Sequence, residues 1–173
     1  MPYDLEEHRH RFSVWAAARA AQRGLTSVDI LREALERCGI RDFLNPANLN
    51  DVDDGKFREQ HEKWCGSIVG FLKKKRVSKT TYGRAAKMVA VYLKSMIVLG
   101  PQTQSSLSQV AYPPIDGRLL RNISQAGDVT CPDKDGLGKV KWTKLNRKDY
   151  YKLVERLRKC LPHGHPFWKL ERF

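Results

Sequence analysis

The sequence predicts an all-α fold, a compact multi-helix domain with a basic cleft that two helical lobes can share. Three observations lead there. Apolar residues recur at three- and four-residue steps over most of the chain, capping residues and glycines punctuate those stretches at helical intervals, and one segment, GRAAKMVAVYLKSMIVL, is apolar nearly all the way round. A length of 173 residues suits a single folding unit, 1–173, with a core of its own.

The first helix is expected from about Leu5 to Arg23, with Phe12, Trp15, Ala16 and Ala20 on its core face and Gly24 at its end. The second starts after Ser27, an N-cap residue, buries Ile30, Leu31, Ala34, Leu35 and Cys38, and stops at Gly39. The stretch 45–55, with a proline and several Asn and Asp, reads as a loop. Beyond it Phe57, His61, Trp64, Ile68, Phe71 and Leu72 mark a long helix ending in Lys73, Lys74, Lys75 and Arg76. Cations there suit the helix dipole as well as they suit phosphate. From Thr81 to Leu99 runs the central helix, terminated by Gly100 and Pro101; Lys87 and Lys94 are the only charges in its apolar body and, seven residues apart, share one stripe. Pro113 and Pro114 lead into a helix beginning near Ile115, which puts Asp116 in its first turn, where an acid often serves only as a cap or dipole partner. Residues 128–141 read as a mobile basic loop or short hairpin, Asn146 caps a helix with a basic outer face, and LPHGHPFWKLERF closes the chain as a packed ending.

The formal charge is +13 and unevenly spread. Residues 63–115 hold nine Lys or Arg and no Asp or Glu, and residues 134–173 hold twelve against four. Two basic regions flanking a short neutral one suit a polyanion in a groove between them, so the expected partner is nucleic acid, DNA ahead of RNA. No apolar run approaches a membrane span and the N-terminus carries acids where a signal peptide carries bases, so a cytoplasmic protein without membrane association is expected. Cys38, Cys65, Cys131 and Cys160 are isolated, which points to reduced thiols and no metal site. The pairs His8 with His10 and His163 with His165 lack a third ligand. No cofactor-binding motif is present, and nothing sets an oligomeric state.

TTYGRAAKMVAVYLK, with Lys87, and PPIDGRLL, with Asp116, together resemble the heart of the helix-hairpin-helix DNA glycosylases. The spacing between lysine and aspartate, and the ending HGHPFWKLE, look more like the archaeal 8-oxoguanine glycosylases than the bacterial endonucleases. The Gly-x-Gly of the usual hairpin is absent, Gly83 being the single glycine of the TTYGRAAK stretch, and no cysteine run for an iron-sulfur cluster occurs. The resemblance implies a DNA-repair activity with Lys87 as amine nucleophile and Asp116 as the carboxylate that stabilises charge on the sugar and helps move protons. Base extrusion then needs a stacking pocket, for which Trp142, Phe167 and Trp168 are candidates with Tyr112 at its mouth. Phosphate contacts are expected from Lys73, Lys74, Lys75, Arg76, Lys79, Arg84 and Lys94. Two other readings stay open: a noncatalytic DNA- or RNA-binding module, and an interaction protein whose basic faces meet an acidic partner.

Overall fold

The computed structural model describes residues 3–127, 131 and 134–173, and among these there is no strand. The helices are α1 (Leu5–Gln22), α2 (Val28–Glu36), α3 (Ile40–Phe43), α4 (Pro46–Leu49), α5 (Asp54–Lys74), α6 (Tyr82–Leu93), α7 (Ser106–Val110), α8 (Gly117–Gln125) and α9 (Arg147–Arg158), with 3-10 turns at Lys134–Lys139, Trp142–Lys144 and Phe167–Arg172. None of them is long and apolar enough to cross a membrane.

Local chemistry sets the helix ends. Asp4, Ser27, Asp53, Thr81 and Asn146 each turn a side-chain oxygen back onto a first-turn amide of the helix that follows. Gly24 and Gly39 close α1 and α2 with φ of +66° and +81°. After α5 the left-handed residue is Arg76, at φ +57°, and the Val77 amide reaches back to the Leu72 carbonyl at 3.0 Å.

α6 lies at the centre, buried at almost every position, against α1, α5 and the 142–144 turn. α1 meets it through Val14, Ala17, Ala18 and Ala21, whose small side chains allow a close approach. This corrects the face expected for α1. Phe12 and Trp15 point outward, 56% and 49% exposed, while Ala16 and Ala20 are half-buried. Side-chain bulk suggested the core stripe, but the face of α1 buried in the packing with α6 and α2 is the one that carries the small side chains.

α6 does not simply run on to Leu99. Its last part, Lys94–Val98, widens into a π-helical turn. The 134–139 segment is a 3-10 turn docked on α8 and anchored by the fully buried Leu137, in place of the mobile loop or hairpin expected; residues 128–130 and 132–133 lie outside the described residues. Cys131 and Cys160 are joined in a disulfide, their Cα atoms 4.4 Å apart, which corrects the expectation of four free thiols. Cys38 and Cys65 are free and buried.

Candidate active site

Lys87 owes its position to the first turn of α6. Thr81 caps that helix, and its hydroxyl also donates to the Thr143 carbonyl at 2.9 Å. Two residues on, the Gly83 amide donates to the Leu145 carbonyl at 3.1 Å, and a Cβ on Gly83 would stand 2.1 Å from the Trp142 carbonyl oxygen. Only glycine permits this approach, so Gly83 serves helix-to-turn packing. The 142–144 turn thereby sets Trp142 beside Lys87, whose Nζ lies 4.7 Å from the indole centroid.

Asp116 comes to the same place from α8. The extended stretch before it ends with Asp116 as the N-cap, one step outside the helix where a first-turn position was expected. One carboxylate oxygen, Oδ1, accepts from the amides of Arg118 at 2.9 Å and Leu119 at 3.0 Å. The other, Oδ2, accepts from Lys87 Nζ at 2.9 Å. Burial acts to raise the Asp116 carboxyl, but the Lys87 hydrogen bond and then the α8 amides outweigh it, so the group sits below its ordinary value. Lys87 is 8% exposed and Asp116 more open.

Both side chains line a cleft of about 640 Å³. α1 gives it Phe12, Ala16 and Ala20, α6 and its π turn give Val91, Lys94 and Ser95, and α8 gives Arg118, Leu119 and Asn122. Glu171, Arg172 and Phe173 close it, with Glu171 paired to Lys94. The charged lining is four cations, Lys87, Lys94, Arg118 and Arg172, and two acids, Asp116 and Glu171.

The other residues singled out from the sequence are dispersed. Lys73, Lys74, Lys75, Arg76 and Lys79 are exposed at the α5–α6 turn; Lys75 also lies 3.4 Å from Glu33. Arg84 is internal, with its guanidinium donating to the Ala21 carbonyl near the end of α1 at 3.2 Å, and burial lowers its pKa. A phosphate contact from Arg84 is therefore replaced by a contact to a helix C-terminus.

Tyr112 and Phe167 are core residues rather than a cleft mouth and platform. Their ring centroids are 5.6 Å apart, Tyr112 lies 4.7 Å from Phe57, and burial pushes the Tyr112 phenol up to about 12. Trp142 is buried beside Lys87, and Trp168 lines a neighbouring hollow of about 480 Å³ that shares Lys94, Leu99, Glu171 and Arg172 with the cleft. Phe12, Arg118, Glu171 and Arg172 line the cleft without having been singled out. The signal for Phe12 was the alanine stripe on the opposite side of its helix, which already supplies a packing face.

Of the two histidine pairs, His8 bonds the Tyr3 hydroxyl at the surface and His10 turns inward to Tyr92 at 2.9 Å. His163 and His165 border a separate hollow. Among the described residues no three His, Cys, Asp or Glu side chains gather to hold a metal ion. Compared with protein-family models, curated proteins and solved structures, the chain matches none.

Proposed function

We propose that this protein binds DNA and acts as a DNA glycosylase with abasic-site lyase activity, Lys87 being the nucleophile and Asp116 its carboxylate partner. The observation that carries the reading is the 2.9 Å contact between these two side chains, 29 residues apart in sequence, at the wall of an open cleft. That pairing is what the resemblance to helix-hairpin-helix glycosylases requires, and the α5–turn–α6 arrangement with exposed Lys73, Lys74 and Lys79 supports backbone contact beside it.

In this reading Lys87 Nζ, having lost a proton, attacks the sugar C1′ as the bond to the base breaks. The base leaves with the bonding electron pair and takes up a proton, and opening of the sugar ring leaves the Schiff base. Asp116 is within one hydrogen bond of the attacking nitrogen, placed to accept the lysine's proton and to oppose positive charge on the sugar. The Trp142 ring also contacts the Lys87 head, 4.7 Å from its centroid. The compartment this implies is the DNA-containing interior of the cell.

The test is reductive trapping. A labelled duplex carrying an abasic site or 8-oxoguanine, mixed with the protein and borohydride, should give a covalent adduct that Lys87→Gln abolishes. Salt-sensitive binding with no adduct would replace this reading by a noncatalytic DNA- or RNA-binding module, because only a Schiff base is reduced to a stable link. The charge of +13 favours that second reading over one in which the chain is not a nucleic-acid binder.

A further inference from the structure

α1 carries an aromatic pair, Phe12 in the lining of the cleft and Trp15 beside it, that is about half open to solvent. Phe12 is 56% exposed and Trp15 49% exposed; their ring centroids lie 6.0 Å apart with the planes tilted by 40°. Leu99, also exposed, lines the same cleft. The helix gains little packing from these side chains, since α1 docks on α6 through Val14, Ala17, Ala18 and Ala21. Large rings left in water beside a cavity are the features of a ligand contact more than of a core.

The rest of the cleft says what kind of ligand. Ala16 and Ala20 of α1, Val91 of α6, Pro114 and Leu119 line the same cleft, so much of its wall is apolar. Arg118 and Arg172, both exposed, suit a phosphate, and the Lys87–Asp116 pair is more buried. Glu171, whose Oε2 accepts from Lys94, and Asn122, whose Nδ2 donates to the Phe173 carbonyl, keep Oε1 and Oδ1 as acceptors for an edge bearing N–H groups. A group flat and apolar on its faces, polar at its edge and joined to an anion meets all of these conditions. An alkyl chain would give Arg118 and Arg172 no anion to face.

We propose that Phe12, backed by Trp15, is the stacking platform on which a nucleobase taken out of its strand lies in this cleft. The proposal rests on the DNA-binding reading and is independent of whether Lys87 performs chemistry. It assigns base stacking to the N-terminal helix. Tyr112 and Phe167, committed to the core, and Trp142, buried beside Lys87, do not supply that surface.

Photo-cross-linking tests it without any turnover. The full chain is irradiated with a duplex that carries one 5-iodouracil in a mismatch, and the adduct is mapped by mass spectrometry, because iodouracil couples to aromatic rings stacked on it. The expected adduct is on Phe12 or Trp15. Adducts confined to Trp168 or to the 73–79 turn would overturn the proposal, as would binding with no adduct on α1 or no binding at all. As a second measure, Phe12→Ala should weaken binding of the mismatched duplex by about tenfold, as expected when one base-aromatic stack is removed. Phe12→Trp should restore it. Because Phe12 is largely exposed, Phe12→Ala should melt within a few degrees of the wild type; unchanged affinity in that folded variant would also overturn the proposal. A cross-link on Phe12 in a wild type that gives no borohydride adduct would uphold the platform and reject the lyase, so the two readings fail separately.

Discussion

Asp116 divides its carboxylate between Lys87 and the start of α8: Oδ2 takes the lysine Nζ at 2.9 Å while Oδ1 takes the amides of Arg118 and Leu119. The sequence left two roles for this residue, a cap and a partner of lysine, and the geometry combines them. Fixing Oδ1 on two backbone amides leaves Oδ2 little freedom to turn away, so the helix start orients the group that faces Lys87.

The two roles are separable by substitution. Asp116→Asn retains a capping oxygen and should stay within about 1 kcal/mol of wild-type stability, yet lower the rate of any lysine-dependent cleavage by about 100-fold or more. Asp116→Ala should add a loss of about 1 kcal/mol or more in urea denaturation, because α8 loses its cap and Lys87 loses its partner. Equal activity in wild type and Asp116→Asn would remove Asp116 from the chemistry.

Gly83→Ala should be among the most damaging single-methyl changes in the chain. The added carbon meets a backbone carbonyl at 2.1 Å, so the 142–145 segment must move and take Trp142 from Lys87. A loss of about 1–3 kcal/mol is expected. An unchanged Tm would mean that α6 and the 142–144 turn are not packed this closely.

Arg84 and the lysines of the α5–α6 turn should respond oppositely. Arg84→Ala removes a buried hydrogen bond to the Ala21 carbonyl and should lower Tm while leaving the salt dependence of DNA binding as it was. Replacing Lys73, Lys74 and Lys79 with glutamine should change Tm little. It should flatten the log K against log salt slope by up to about 0.9 for each phosphate that the turn no longer neutralises. An unaltered slope in the triple variant would remove this turn from the interface.

Stability should fall with pH below neutrality because of His61. Its Nδ1 bonds the Tyr151 hydroxyl at 2.8 Å, that hydroxyl bonds Tyr82 at 2.8 Å, and full burial pushes the imidazole down from 6.5 to about 3. Between those values the unfolded chain takes a proton that the folded chain refuses. Stability is therefore full above about pH 6.5 and is lost as pH falls, by at most about 1.4 kcal/mol per unit. Burial lowers His10 as well, with the same sign. Urea titrations from pH 7 to 5 should show a shallower decline for His61→Gln than for wild type, and parallel declines would contradict the assignment.

Helix positions and their ends were legible because they depend on residues within about four positions of one another. Ser27, Thr81 and Asn146 announce a start, Gly24 and Gly39 a stop, and each does so in the structure. The charge map and the shared stripe of Lys87 and Lys94 were equally local, and both lysines do line one cleft. Burial is not local. Phe12 and Tyr112 are both bulky aromatics beside apolar neighbours, and only the docking of α1 by its alanines leaves the first in the cleft while α5, α9 and the C-terminal turn enclose the second. Arg84 looks like its basic neighbours until the end of α1 arrives to accept from it. Likewise the joining of Cys131 to Cys160 was decided by segments meeting across 29 residues of sequence, where no spacing rule reaches, whereas the meeting of Lys87 with Asp116 was expected from the family resemblance alone.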